Sequence, residues 1–258
     1  MSLRVAVFGA GGQMGRTVCG AVAADPDLEL VAGVDPGAPG EVVEGVTLVA
    51  DTTGLDALGE GAVDVVVDFT HLEAARANLA WAARSGVHAV VGTTGFGDDD
   101  LERLRAEFTR SNVLVAPNFA IGAVLMMRLA EIAAPWFDSV EVIELHHDRK
   151  VDAPSGTATR TVERIAAASD RWGRDPTRTE VWPGARGAEG PAGIHVHSVR
   201  LRGLVAHQEV LFGTTGQQLM IRHDSYDRSS FMPGVLLAVK RIADHPGLTV
   251  GLEPLLDL

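Results

Sequence analysis

Leu3-Arg4-Val5-Ala6-Val7-Phe8-Gly9-Ala10-Gly11-Gly12-Gln13-Met14-Gly15 decides the fold. Its first part is an apolar run of strand length and its second a glycine-rich turn. A helix is expected to follow as far as about residue 24, then a second buried strand over 28–34 that ends at Asp35. Strand, glycine turn, helix and strand make a βαβ unit. The spacing is G-x-x-G-x-x-G through Gly9, Gly12 and Gly15, with Gly11 extra and Met14 where the commoner G-x-G-x-x-G has its third glycine. The physical demands are unchanged: a tight turn, backbone lying close to a pyrophosphate, and a helix packed closely on a strand. Gly9, Ala10, Gly11, Gly12, Gln13 and Met14 are therefore the candidate cofactor-binding loop. Asp35, 20 residues past Gly15, is the candidate acceptor for the adenosine ribose hydroxyls. No Lys or Arg occurs from Asp35 to Asp51, so only Arg16 in the loop could meet a 2′-phosphate. The sequence leans to NADH over NADPH.

The alternation continues with strands expected at 63–69, 87–91 and 113–116 and helices at 72–85 and 101–110. The strands end in Asp68-Phe69-Thr70, Gly92-Thr93-Thr94 and Ala116-Pro117-Asn118-Phe119. In a doubly wound sheet these carboxyl ends share the ligand-bearing edge. Gly92, Thr93, Thr94, Ala116, Pro117, Asn118 and Phe119 are the candidates for lining the nicotinamide half of a dinucleotide. Residues 119–137 read as a helix apolar nearly all round, expected between layers or at an interface, with Met126 and Met127 as core filler.

After Ser139 the pattern changes. Strands are expected at 139–147, 194–202, 204–213 and 216–225, joined partly by tight glycine turns, with one helix over 155–168. Residues 169–193 read as a long surface loop in which Arg186 is a candidate for closing over an anion. A helix to about residue 244 and a strand at 248–252 are expected to return to the first domain. The fold class is α/β: a Rossmann-type doubly wound parallel sheet plus a second α+β domain with a mixed or antiparallel sheet. The dinucleotide-binding domain is expected over 1–118 and 229–258, and the substrate domain over 119–228.

Composition excludes some classes. A net charge of −12 argues against nucleic acid as a partner. The longest apolar run, 119–127, is too short to cross a bilayer, and no leader pattern opens the chain. Cys19 is the one cysteine, so no intrachain disulfide is possible and a cytoplasmic location is expected.

The chemistry concentrates in Glu144-Leu145-His146-His147-Asp148-Arg149-Lys150-Val151-Asp152-Ala153-Pro154-Ser155-Gly156-Thr157-Ala158. Of the 22 Lys and Arg residues only Lys150 and Lys240 are lysines, so a lysine just after a histidine pair stands out. A compact ammonium suits charge or proton transfer better than a guanidinium does. Ser155 reads as a helix N-cap. The first-turn N–H groups of Gly156 and Thr157 and the helix dipole favour a carboxylate or phosphate. Adjacent residues of an extended segment face apart, so His146 and His147 are poor co-ligands for one metal and suit two separate jobs. His195 and His197 share a strand face, but no Cys or acid completes a metal site, and no metal is expected.

These motifs resemble the 4-hydroxy-tetrahydrodipicolinate reductase (dihydrodipicolinate reductase) family along essentially the whole chain. The stretch 144–158 is similar to the family signature E-x-H-H-x-x-K-x-D-x-P-S-G-T-A in full, and the residues from Val5 to Arg16 resemble its cofactor loop. The resemblance implies NAD(P)H-dependent reduction of a cyclic dicarboxylate imine, a step of the diaminopimelate route to lysine. It implies a hydride passing from nicotinamide C4 to ring C4, His146 as general acid, Lys150 assisting, and His147, Gly156 and Thr157 on the substrate carboxylates. It also implies a homotetramer joined through the substrate-domain sheets. Gln13 and Pro36 stand where the family commonly has basic residues, which weighs against a strong NADPH preference. The alternatives are another NAD(P)-dependent dehydrogenase of a small acid or sugar, and a non-catalytic dinucleotide sensor.

Overall fold

Valine-rich runs build the first sheet. The computed structural model describes residues 2–258. It opens with strand β1 (Leu3–Phe8), helix α1 (Gln13–Ala24) and strand β2 (Leu28–Val34), with β1 and β2 parallel. A small hairpin of β3 (Val42–Val43) and β4 (Val46–Thr47) and a short helical turn, α2 (Thr53–Asp56), come next. Periodicity does not announce these three, because such short elements hold little more than one period. Then follow β5 (Val65–Asp68), α3 (Leu72–Ser85), β6 (His88–Val91), α4 (Asp98–Glu107) and β7 (Val113–Val115). Helix α4 starts ahead of the expected position. Asp98, Asp99 and Asp100 occupy its first turn, where the helix dipole favours anions, and Asp100 accepts from the Gly97 N–H at 3.2 Å.

Helix α5 (Ile121–Ala133) begins later and ends earlier than the apolar pattern predicts. Asn118 accepts the Ala120 N–H at 2.9 Å and holds the chain in a turn, while Pro135 stops the far end. Only one of its faces is buried, including Met126 and Met127; Leu125, Leu129 and Ile132 remain exposed. The strand β8 (Ser139–His146), helix α6 (Gly156–Ala168), β9 (Ala188–Glu189), β10 (His195–Arg200), β11 (Ala206–Thr214) and β12 (Gln217–Ser225) follow. They form a sheet in the order β12-β11-β8-β10-β9, in which β8 and β10 run parallel and the other pairs antiparallel. Val140, Val142, Val210 and Phe212 of this sheet are buried, as are Val162 and Ile165 of α6.

The chain ends with α7 (Met232–Arg241) and β13 (Leu248–Val250). Strand β13 pairs with β7, completing a six-stranded parallel sheet in the order β13-β7-β6-β5-β1-β2. The two compact units are Ile121–Ser230 and the remainder, into which Phe231–Leu258 returns. Val5, Val7, Val66, Val67, Val90 and Leu114 are fully buried, as expected of parallel strands covered on both faces. Strand order reverses between β1 and β5, so the ligand edge lies at the carboxyl ends of those two strands.

Candidate active site

In the first unit the glycine turn closes on itself. The N–H groups of Gly9 and Ala10 both donate to the Val34 carbonyl, at 2.8 and 3.2 Å, and Gly12 N–H donates to Gly9 O at 3.0 Å. Gly9 has φ of 76°, a conformation glycine adopts without strain. Asp35 accepts from Gly11 N–H through one oxygen and from Gly37 N–H through the other, both at 2.9 Å. This ties the end of β2 to the loop. The N-cap of α1, Gly12, supplies no side-chain acceptor. The first-turn N–H groups, those of Gln13 and Met14 among them, thus face outward with the positive end of the helix dipole, which suits a pyrophosphate.

Beside the loop, within the same unit, lies a cavity of about 280 Å³ lined by Met14, Phe69, Thr93, Thr94, Asn118, Phe119 and their neighbours. The rings of Phe69 and Phe119 are 5.7 Å apart. A Cβ on Gly92 would lie 2.0 Å from the Phe69 ring, so any larger residue there would have to displace that ring. Beneath it Asp68, fully buried, accepts from Thr70 Oγ1 (2.7 Å), Thr93 Oγ1 (2.7 Å) and Asn78 Nδ2 (2.8 Å). This carboxylate fixes the two strand ends that shape the cavity. The residues present fit a dinucleotide: helix-start N–H groups with no side-chain cap, a carboxylate at the end of β2 and a half-apolar cleft. Of the sequence candidates, Gly92, Thr93, Thr94, Pro117, Asn118 and Phe119 share this lining, whereas Ala116 is buried behind it.

In the second unit the signature stretch leaves β8 and enters α6. Ser155 caps α6, its Oγ accepting from Ala158 N–H at 3.2 Å. Glu144 and His146 project on one face of β8, and Arg200 is the register partner of His146 on β10. Glu144 is fully buried and takes both arms of the Arg200 guanidinium, Nη2 to Oε1 at 2.8 Å and Nη1 to Oε2 at 2.9 Å. Its carboxylate also bonds His146 Nδ1 and accepts from Ser155 N–H at 3.3 Å. Burial alone would raise the Glu144 pKa; Arg200, Ser198 and His146 outweigh it and hold the carboxyl below its ordinary range. His146 lies below the usual histidine value because burial, helped by the Lys150 and Arg200 cations, outweighs the opposing pull of Glu144.

Lys150 Nζ sits between both oxygens of Asp152, at 2.8 and 2.9 Å. Arg200 Nη2 also donates to the Asp152 carbonyl at 2.6 Å. His147 turns away from His146, its Nδ1 accepting from Arg149 N–H at 3.2 Å. His146, Lys150 and the α6 start are thus held by one local network. Arg186, the loop residue expected to close over an anion, is paired with Glu141 (2.5 Å) of β8 and Asp175 (3.0 Å). His197 and His195 pair with the same two carboxylates, at 2.6 and 3.5 Å.

The residues that sequence reading left out of the site are Asp68, Glu144, Asp152 and Arg200. Glu144 carried a signal, since it stands two places before His146 and shares its face. Arg200 carried none, because only strand register brings it across.

Parallel sheet, glycine loop and histidine–lysine network define a nicotinamide-dependent oxidoreductase. The chain belongs to the dihydrodipicolinate reductase family, whose N-terminal part matches residues 3–119 and whose C-terminal part matches residues 122–256. It is 55% identical over 265 residues to 4-hydroxy-tetrahydrodipicolinate reductase of Nocardia farcinica, with 100% of each chain covered. It is 54% identical to the enzyme of that name from Mycobacterium sp. strain KMS, covering 99% of this chain and 100% of that one. Dipicolinate-bound dihydrodipicolinate reductase from Paenisporosarcina sp. TG-14 superposes with a TM-score of 0.88 at 39% identity, covering 98% of this chain and 99% of that one.

Proposed function

We propose that this chain reduces 4-hydroxy-tetrahydrodipicolinate to tetrahydrodipicolinate in the diaminopimelate route to lysine. The observation that carries the reading is the network that holds His146, the Lys150 ammonium and the α6 start together in one unit. The 4-hydroxyl leaves as water to give a conjugated cyclic imine, and a reduced nicotinamide, when bound, would supply a hydride to ring C4, the carbon that lost it. Gly9 to Met14 and Asp35 hold the dinucleotide, and residues 92–94 and 116–119 surround its nicotinamide end. His146 donates the proton that completes the reduction, a role suited to histidine, whose ordinary pKa lies nearest neutrality of the side chains and which here is held below that value by burial. Lys150 steadies developing negative charge. His147, Gly156 and Thr157 take the substrate carboxylates, the last two through helix-start N–H groups.

NADH is the preferred donor in this reading. Asp35 disfavours a 2′-phosphate, and Arg16 is engaged with Glu41 and with the Gly11 carbonyl at 2.8 Å. The same reading makes 119–228 the substrate-binding and tetramerisation domain of a cytoplasmic homotetramer. No helix among the described residues is long and apolar enough to cross a membrane.

The test is loss of absorbance of NADH and of NADPH, assayed separately with freshly made hydroxy-tetrahydrodipicolinate. Turnover with this dicarboxylate supports the assignment. Inactivity with it, together with turnover of a neutral sugar, would move the chain to another dehydrogenase class.

A further inference from the structure

Glu144 is fully buried, yet both arms of Arg200, the Ser155 N–H, His146 Nδ1 and the Ser198 side chain converge on its two oxygens. An isolated buried carboxylate is strongly disfavoured, because burial strips it of water. Here a bidentate guanidinium compensates it and keeps it ionised. An ionised carboxylate can only accept hydrogen bonds, so the nitrogen facing it must carry a hydrogen. The geometry follows from register. Period two puts Glu144 and His146 on one face of β8, and parallel pairing sets Arg200 beside His146.

We infer that Glu144 and Arg200 act as a buried positioning pair for His146, fixing its Nδ1–H tautomer and leaving Nε2 to carry the proton that is transferred. The inference rests on the proposed role of His146 as general acid. In the step, which follows loss of the 4-hydroxyl as water, the Nε2–H bond of the imidazolium breaks, its electron pair stays on Nε2, and the proton goes to the enamine left when ring C4 of the conjugated imine has gained a hydride. The product side chain is the neutral Nδ1–H imidazole, already bonded to Glu144. Arg200 reaches further, because its bond to the Asp152 carbonyl also pins the segment that holds Lys150. One arginine therefore orders both proposed reacting groups.

The charged groups around His146 are Glu144 on its own strand, Arg200 on β10, and Lys150 with Asp152 on the loop after β8. Ala206, its register partner on β11, carries no charge. The two members of the pair therefore act on the imidazolium with opposite sign.

The experiment measures kcat/KM against pH for wild type, E144Q, R200M, R200K and H146Q, with ¹⁵N NMR of the histidine rings in wild type. A general acid loses activity as pH rises through its pKa. Removing the Glu144 charge leaves two cations facing His146, so E144Q should move the alkaline limb to lower pH. Removing the Arg200 charge should move it to higher pH, and R200K should restore the wild-type limb. Each of E144Q and R200M should also lose about tenfold or more in rate near neutrality, part of the hundredfold or greater share of a general acid. Limbs that stay put, or move the same way, would overturn the inference while leaving His146 as the acid if H146Q is inactive. A wild-type rate in H146Q would overturn the underlying reading and this one with it. The wild-type NMR decides even if R200M fails to fold: neutral His146 must be the Nδ1–H tautomer, and an Nε2–H tautomer refutes the pair.

Discussion

A Cβ added to Gly15 would lie 1.9 Å from the carbonyl oxygen of Gly9. The atoms in the way are backbone of Gly9 and Ala10, so relief requires moving the glycine turn away from α1. Gly15→Ala is expected to destabilise the protein by about 1–3 kcal/mol, the usual range for overpacking, and to weaken dinucleotide binding by displacing the helix start. Gly12→Ala, whose Cβ would stand 3.3 Å from the same oxygen, should be milder in stability. Thermal unfolding and titration of NADH fluorescence check both. Equal melting temperatures for Gly15→Ala and wild type would show that the turn is looser than its contacts indicate.

His146→Gln keeps a polar group of similar reach on β8 but removes the titrating nitrogen. Turnover should fall by roughly two orders of magnitude or more, the ordinary contribution of a general acid. Cofactor affinity should stay unchanged, because the residues proposed to hold the dinucleotide belong to the other unit. Stopped-flow with NADH separates the two quantities. A rate within about twofold of wild type would remove His146 from the chemistry.

How far the sequence foretold this molecule depends on the range of the interaction. Strands such as 28–34 and helices such as 72–85 carry their own period and caps, and they stand where the pattern places them. The Ser155 cap was legible for the same reason: Pro154 and the following residues supply it locally. Two of the site's supporting groups, Asp68 and Arg200, were not. Asp68 reads as the end of an apolar strand until its hydroxyl and amide partners are placed around it. Arg200 stands 56 residues from Glu144, and nothing short of the β8–β10 register joins them. The apolar helix of 121–133 shows the converse, since composition alone hid its exposed Leu125, Leu129 and Ile132.

Asp35 should govern the choice of donor. Its oxygens already hold Gly11 and Gly37, each at 2.9 Å, and retain lone pairs for a ribose diol. Asp35→Ala is expected to lower kcat/KM with NADH by about tenfold or more, the scale of one hydrogen bond to a charged group. NADPH should lose less, because removing the carboxylate also removes its repulsion of the 2′-phosphate. The ratio of the two values is the readout, since loosening of Gly11 affects both donors alike. An unchanged ratio would take Asp35 out of donor selection.

Binding of a dicarboxylate should take up a proton at His146. In the free protein the imidazole is held below its ordinary pKa, first by burial and then by Lys150 and Arg200, so near neutrality it is mostly neutral. Two substrate carboxylates beside it favour the imidazolium and raise that pKa. Affinity must therefore strengthen as pH falls through the bound-state pKa and level off below the free-state pKa, where both forms are already charged. Calorimetry of dipicolinate binding in buffers of different ionisation enthalpy measures the exchange directly. Uptake of up to about one proton is expected near neutral pH. It should vanish in His146→Gln and persist in His147→Gln, which assigns it to one ring of the adjacent pair. Proton release, or uptake that survives His146→Gln, would mean that another group answers the ligand's charge.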